Sequence, residues 1–365
     1  MNDLVRIIAS APCRLDPAGG WTDGCTAFCD DGQPILGKVC NIAIKRRSFI
    51  ELTLPANSGI WVKCDGDHKQ LTWNSQYYGR LDLFVAAYRR FDLGQLLPST
   101  IQYDWIHDRS PRLLEIIATS EVPFSSGLGG SATVAVPLAA ALMHFLNKTK
   151  PTDSSYEDWV AREARGFELD QMKVSSGWQD QGAAVYGGIS FFEAKTDPQK
   201  PIRYEITRDS EIVSLLEDSL LLIKTPKIEN RSSNQVHQKV RNLEEKRRVQ
   251  LLQDMTMYAE ICRDAILASD MCNFGEAVRN NWEAIKELTS GDSTSPYIDR
   301  LVSEVLSLGA YGAKACGAGG PGGAVMIVTR PEVKEIILNT VSGWRDFEVL
   351  PVKIDFDGLQ IEEVN

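Results

Sequence analysis

The sequence predicts an α+β protein, and three observations carry that prediction. Segments of β-branched and apolar residues alternate with segments of helical spacing. The strands come partly in hairpins rather than in a strict βαβ succession. At 365 residues the chain can build two domains with a substantial core. Hydrophobic residues make up 43% and charged residues 24%, the proportions of an ordinary globular chain rather than a disordered one. The net charge of −10 argues against nucleic acid as a partner, since a phosphate backbone calls for a basic face. Lys45-Arg46-Arg47 and Lys246-Arg247-Arg248 read as solvated faces.

Taken in order, Val5 to Ala11 is a strand feeding a turn from Pro12 to Gly20, and Ile42 to Leu54 continues in β-rich residues. Gly59 to Cys64 and Gln70 to Trp73 are the arms of a short hairpin between Asp and Gly turn residues. Leu81 to Phe91 has helical apolar spacing, and Leu113 to Thr119 returns to strand. Val134 to Leu146 is helical. Ser155 to Met172 is a second helix after a Pro-Thr-Asp start signal, with Ala161, Ala164 and Phe167 on one face. Ala184 to Phe192 is strand-like, and Lys195 to Pro201, with an aspartate and two prolines, is the candidate linker. Beyond it, Ser219 to Thr225 is a buried strand, Asn234 to Ser269 a long charge-laced helical region, and Asn273 to Leu288 a further helix. Leu301 to Leu308 leads into a glycine loop, Gly323 to Thr329 is strand, Pro331 opens a final helix, and Phe347 to Ile354 ends as strand.

Eight cysteines, at 13, 25, 29, 40, 64, 262, 272 and 316, form no C-x-x-C pair, and Cys25 with Cys29 makes at most half a zinc site. Reduced thiols in a cytoplasmic setting are expected. The start, Met1-Asn-Asp-Leu-Val-Arg6, has no apolar run after its charges, so no signal peptide is expected. No stretch reaches the roughly 18 uninterrupted apolar residues of a membrane span, so no membrane partner is expected, with monomer and homodimer both open.

The densest chemical signal is Pro123-Phe-Ser-Ser-Gly-Leu-Gly-Gly-Ser-Ala-Thr133, which runs into a helix. Gly127, Gly129 and Gly130 let the backbone curl with positive φ and expose successive N–H groups as an anion nest. The following helix points its unpaired N–H groups and dipole at the same spot. Ser131 and Thr133 can serve there as caps, phosphate ligands or metal ligands. No lysine follows the glycines, so this is not a Walker A loop. Gly127-x-Gly129-x-x-Ala132 also satisfies the loose dinucleotide pattern, yet no acidic residue ends a second strand at the expected distance, which disfavours a dehydrogenase.

The pattern Pro-x-x-x-Gly-Leu-Gly-x-Ser-Ala resembles the central motif of the GHMP small-molecule kinases. Two further stretches are similar to that family's other motifs and stand in the same order: Ala11-Pro-Cys-Arg-Leu-Asp-Pro-Ala-Gly-Gly-Trp-Thr-Asp23 and Gly312-Ala-Lys-Ala-Cys-Gly-Ala-Gly-Gly-Pro-Gly-Gly323. The resemblance spans almost the whole chain. It implies a two-domain fold with the active site in the cleft between the domains. Residues 1–200 would form the N-terminal nucleotide- and substrate-binding domain, and 201–365 a ferredoxin-like α+β C-terminal domain. It implies ATP and Mg2+, with Pro123, Ser125, Ser126, Gly127, Leu128, Gly129, Gly130, Ser131 and Ala132 around the nucleotide.

By the same resemblance Asp180 falls on the family's catalytic carboxylate, which accepts or orients the acceptor's proton. Arg14 matches a cation beside the transferring phosphoryl group that would also lower the pKa of Asp180, or it forms a structural ion pair with Asp16. Glu168 and Ser131 match the magnesium ligands. Asp170, two positions on, belongs to a different helix face from Glu168. Asp23 matches a sugar-hydroxyl ligand able to accept two bonds at once, or it caps a turn. Gly20, Trp21, Trp178 and Gly319 complete the expected substrate side, with the two tryptophans offering apolar faces to a sugar ring, or simply packing. Pro321 interrupts the third glycine motif and removes one donor. Lys314 is expected at the surface, with an approach to phosphate as the alternative.

Gly177-Trp-Gln-Asp-Gln181 followed by Tyr186-Gly-Gly, and Asn280-Asn-Trp-Glu-Ala-Ile-Lys286, resemble the L-fucokinase and D-glycero-D-manno-heptose-7-phosphate kinase group. That implies phosphorylation of an anomeric hydroxyl, with the fucokinase side favoured by Gly20-Trp and Gly177-Trp. A heptose 7-phosphate would call for an extra cationic pocket, for which Arg231 with Ser232 and Ser233 is the candidate. A sugar- and nucleotide-binding sensor without turnover is the alternative on the same fold.

Overall fold

Arg6–Ala18 forms β1 and Lys38–Thr53 forms β2, paired antiparallel over most of their lengths. The structure is a computed structural model that describes residues 6–24, 35–53, 59–76, 81–96, 114–122, 126–172, 176–197, 200–226, 240, 243–320 and 322–364. The turn expected at Pro12 does not form. Instead β1 runs on through Pro12, with register shifts at Pro12/Cys13 and Leu15/Ala18. Such an irregularity tolerates a proline because the regular ladder is already interrupted there. It also exchanges faces: Ile7, Ala9 and Ala11 enter one core, Cys13 and Leu15 another. Arg14 is thereby turned toward the glycine loop, whose Gly127 carbonyl it reaches.

The expected hairpin is β3 (Ile60–Cys64) and β4 (Asp67–Leu71), and β3 also pairs in parallel with β5 (Leu114–Ser120). One face of this sheet is covered by α1 (Asp82–Arg90), α2 (Gly130–Phe145) and α3 (Tyr156–Gly166), through residues such as Phe84, Leu138 and Val160. Every residue of α2 from Ala132 to Met143 is buried, so it is a core helix rather than an amphipathic one.

Two expected elements are divided. The helix expected to Met172 is α only to Gly166 and then widens into a π turn, Phe167–Met172. The strand expected over Ala184 to Phe192 is half helix: α4 is Gln179–Tyr186, Gly187 and Gly188 take φ of 64° and 72°, and only Ile189–Ala194 is strand β6.

Pro201–Glu205 is β7, paired with β6, so the segment before it does not separate two layers. The second layer follows as α5 (Ser210–Ser219), β8 (Leu220–Lys224), α6 (Glu245–Leu267), α7 (Met271–Leu288), α8 (Pro296–Ser307), β9 (Gly312–Ala315), β10 (Ala324–Val328), α9 (Pro331–Ser342) and β11 (Glu348–Leu350). Its four strands are antiparallel in the order β11-β8-β10-β9, a βαββαβ layer of ferredoxin-like kind. The final strand, β12 (Gln360–Val364), returns to pair with β1 and completes an eight-stranded sheet. The expected division at residue 200 therefore does not follow the pairing, because β7 and β12 both belong to the first sheet. Helices α6 and α7 and the second sheet cover the first sheet's other face, where Phe274, Cys262 and Leu222 meet Ile42, Leu15 and Phe191. No helix among the described residues is long and apolar enough to cross a membrane.

Candidate active site

The two glycine loops stand back to back. The Ser126 carbonyl accepts from Ala324 N at 2.8 Å, and a Cβ on Gly127 would lie 2.2 Å from the Cys316 carbonyl oxygen. Gly127 also takes φ of 79°, so glycine is needed there for both space and hand. Gly129, at φ 77°, caps α2 in the left-handed conformation, and no side chain closes that helix end. Gly130, expected to curl like its neighbours, is instead the first residue of α2, and a Cβ there would meet nothing within 4 Å. Ser131 is exposed, whereas Ser126, Leu128 and Ala132 are buried. Pro123, Ser125, Pro321, Arg231, Ser232, Ser233, Cys25 and Cys29 lie outside the described residues.

Asp180 enters from the first turn of α4, and its Oδ1 accepts from Arg14 Nε at 2.8 Å. Arg14 is 4% exposed while the Asp180 side chain is 32% exposed, so the carboxylate, not the guanidinium, is what a ligand can reach. Arg14 Nη1 donates to the Gly127 carbonyl at 2.5 Å and lies 3.8 Å from Asp16 Oδ1. Burial works against the guanidinium charge, but the carboxylates of Asp180 and Asp16 outweigh it, and Arg14 stays charged. The glycine loop, Arg14 and Asp180 thus share one site, with the Asp180 carboxyl carbon 3.5 Å from where a Gly129 Cβ would stand. Lys314 is not at the surface. It is fully buried, with Nζ 3.0 Å from Asp16 Oδ2 and donating to the Asp16 carbonyl.

The expected substrate side needs more correction. Trp178 is 5% exposed and packs on Phe192 and Val39, leaving no ring face for a ligand. Asp23 is buried, and its Oδ2 accepts from the backbone N–H groups of Trp178 and Gln179 at 2.9 and 3.0 Å. It caps α4 from 155 residues away, which is the capping alternative, with one of its two oxygens committed to the backbone. Burial pushes the Asp23 carboxyl up to about 6, against the lowering effect of those two N–H groups. Gly319 packs on the Ser293 carbonyl, 1.9 Å from where its Cβ would be, and so shapes its own loop. Gly20 leaves room beside Asp16 and Gln179, each 3.2 Å from a Cβ added there. Trp21 is held at φ 82°, rare for a bulky residue, and leans on the core of the second layer.

Glu168 stands on the π turn, a helix irregularity often found at functional sites. Its Oε1 accepts from Ser131 Oγ at 2.7 Å, and its Oε2 from Ser176 Oγ at 2.6 Å and Gln181 Nε2 at 3.0 Å. Desolvation raises its pKa, and the hydroxyls of Ser176 and Ser131 oppose the rise. Ser131 and Glu168 together offer magnesium two hard oxygens at the open end of α2, which fits the ion's preference. No group of three or more His, Cys, Asp or Glu among the described residues could cage a metal, so phosphate and water oxygens would complete the shell. Asp170, two positions on, points elsewhere and pairs with Arg90 at 2.6 Å. Ser176 and Gln181 beside Glu168, and the pairing of Asp16 with Lys314, are the structure's additions. The first two flank Asp180 in sequence, while nothing local announces the partnership of the last two.

Comparison with known proteins bears on the family and the fold. The GHMP kinases N terminal domain matches residues 100–188 and the GHMP kinases C terminal domain residues 262–343. The D-glycero-alpha-D-manno-heptose 7-phosphate kinase of Campylobacter jejuni is 26% identical over 332 residues, covering 87% of this chain and 88% of the relative. The bifunctional fucokinase/GDP-fucose pyrophosphorylase of Arabidopsis thaliana is 27% identical over 94% of this chain, which spans 32% of that longer protein. Among solved structures, a D-glycero-D-manno-heptose 1-phosphate kinase of Bacteriodes thetaiotaomicron superposes with TM-score 0.72 at 20% identity, covering 98% and 99% of the two chains. The galactokinase of Lactococcus lactis complexed with galactose does so with TM-score 0.70 at 15% identity, covering 98% and 95%.

Proposed function

As a chain that belongs to the GHMP kinases through both its domains, this protein is a phosphotransferase, and we propose that it moves the γ-phosphoryl group of ATP onto the anomeric hydroxyl of a monosaccharide. The observation that carries the proposal is the Arg14–Asp180 pair at 2.8 Å beside the open end of α2. Asp180 takes the proton of the attacking hydroxyl as its oxygen bonds to the γ-phosphorus and the bond to the bridging oxygen breaks, releasing ADP. Arg14 fixes the carboxylate's direction and adds positive charge beside the transferring group. The N–H groups that open α2 receive the phosphates, and Ser131 with Glu168 would hold magnesium. When bound, that ion neutralises charge on the triphosphate. ATP as donor and a set of free thiols suit the cytoplasm.

A free sugar such as L-fucose is the first reading of the acceptor, from the motifs around Gly20 and Gly177. Collinearity with 88% of the heptose 7-phosphate kinase favours that phosphorylated acceptor as the second. A sensor without turnover is disfavoured, because Asp180, Glu168 and Ser131 are all retained within one site. The test is coupled ATP turnover over L-fucose, galactose, the heptose 7-phosphate, mevalonate and homoserine. Turnover on one of the sugars is expected, with Asp180→Asn lowering kcat by about a thousandfold. Preference for mevalonate or homoserine, or survival of turnover in Asp180→Asn, overturns the reading.

A further inference from the structure

Arg14 stands between two carboxylates, and it engages the one that ought to attract it less. Asp16 is 1% exposed and Asp180 has a side chain 32% exposed, so charge is screened more weakly at Asp16. Yet Arg14 bonds Asp180 at 2.8 Å and keeps 3.8 Å from Asp16. The reason lies behind Asp16. Its Oδ2 is 3.0 Å from the ammonium of Lys314, its carbonyl accepts from the same group, and its Oδ1 accepts from Gly317 N at 3.0 Å. Lys314, on β9 and fully buried, has no other acid within ion-pair distance among the described residues.

We propose that Lys314 is a positioning residue: by occupying Asp16 it keeps that carboxylate from drawing the Arg14 guanidinium away from Asp180. Without the ammonium, Asp16 is a dry carboxylate short of a counter-charge, and Arg14 is the only other cation beside it among the described residues. The guanidinium is planar, so turning Nη1 toward Asp16 swings Nε off Asp180 and loosens the contact with the Gly127 carbonyl. A residue of the second layer thereby sets the direction of a base carried by the first.

The proposal rests on the kinase reading with Asp180 as base, and two measurements keep the two apart. In Lys314→Met, kcat is expected to fall about thirtyfold while KM for ATP and acceptor changes less than about threefold, because the defect lies in the base and not in binding. Adding Asp16→Asn to Lys314→Met removes the competing charge and is expected to restore kcat to within about fivefold of the parent. The second readout needs no turnover: the Nε–H resonance of Arg14 in 15N-arginine-labelled protein, assigned through Arg14→Lys. It should be protected from exchange in the parent, unprotected in Lys314→Met and protected again in the double variant. Should Lys314→Met not fold, the double variant decides alone. Unchanged kcat with a protected resonance in Lys314→Met overturns the proposal, as does a double variant no better than the single one. A parent inactive on every acceptor refutes the kinase reading instead, and the resonance still decides the role of Lys314.

Discussion

Two helices begin at the site, and their first turns are treated in opposite ways. The start of α2 is reached through Gly127 and Gly129 at positive φ and receives no side-chain cap. The start of α4 is closed by Asp23, whose Oδ2 accepts from two successive N–H groups. Both ends carry the same partial positive charge. Only the first leaves it available to an incoming anion, while the second uses it to fix the helix that bears Asp180. A helix start therefore indicates an anion site only when nothing in the chain has already answered it.

Breaking the entry to α2 should have the largest effect. Gly127→Ala meets the Cys316 carbonyl at 2.2 Å and imposes a side chain on φ 79°, so a loss of about 4 kcal/mol in urea unfolding and of all measurable turnover is expected. Next, Glu168→Gln leaves the hydrogen bonds possible but removes the charge, and the magnesium concentration for half-maximal rate should rise about tenfold or more. A metal titration that superimposes on the parent's would remove Glu168 from the ion's shell.

Closing of α4 by Asp23 has a pH signature. Because burial lifts the Asp23 carboxyl from 3.8 to about 6, folding favours its protonated form. The stabilisation is complete below the unfolded pKa and is lost as pH rises through about 6. Asp23→Asn keeps an acceptor for both N–H groups without the charge. Its stability relative to the parent should climb between about pH 4 and pH 7 by up to about 3 kcal/mol, for about two units at roughly 1.36 kcal/mol each. A flat difference across that range in denaturant titrations would mean that the carboxylate is not desolvated in solution. The smallest effect belongs to Gly130→Ala. Open space surrounds that position, so α2 should gain up to about 1 kcal/mol in thermal unfolding, while KM for ATP rises if phosphate comes as close as the bare backbone allows.

Much of this was legible in residue order. The β3–β4 hairpin, α1, β8, α7 and β10 follow from periodicity and turn residues, and the glycine loop announces itself by composition. Arg14, Asp180, Glu168 and Ser131 were reached through motif resemblance, and they do converge. What escaped depends on distant partners. The run from Ala184 to Phe192 is largely apolar, and the paired left-handed glycines divide helix from strand. Trp178 reads as a ring for a ligand until Phe192 and Val39 cover it. Lys314 lies between two alanines, and the aspartate that makes its burial tolerable is 298 residues earlier. Strand β12, Gln-Ile-Glu-Glu-Val, pairs at an edge where alternation is a poor guide.

The stagger at Pro12 deserves a practical reading. Deleting a single residue there would rotate everything from Cys13 to Ala18 by half a turn, sending a guanidinium into grease and two apolar side chains toward the glycine loop. Anyone transplanting the Arg14 segment into another scaffold would need to carry the opposing Lys45-Arg46 excursion with it, since the misfit between the two strands, not the motif's lettering, is what aims the arginine.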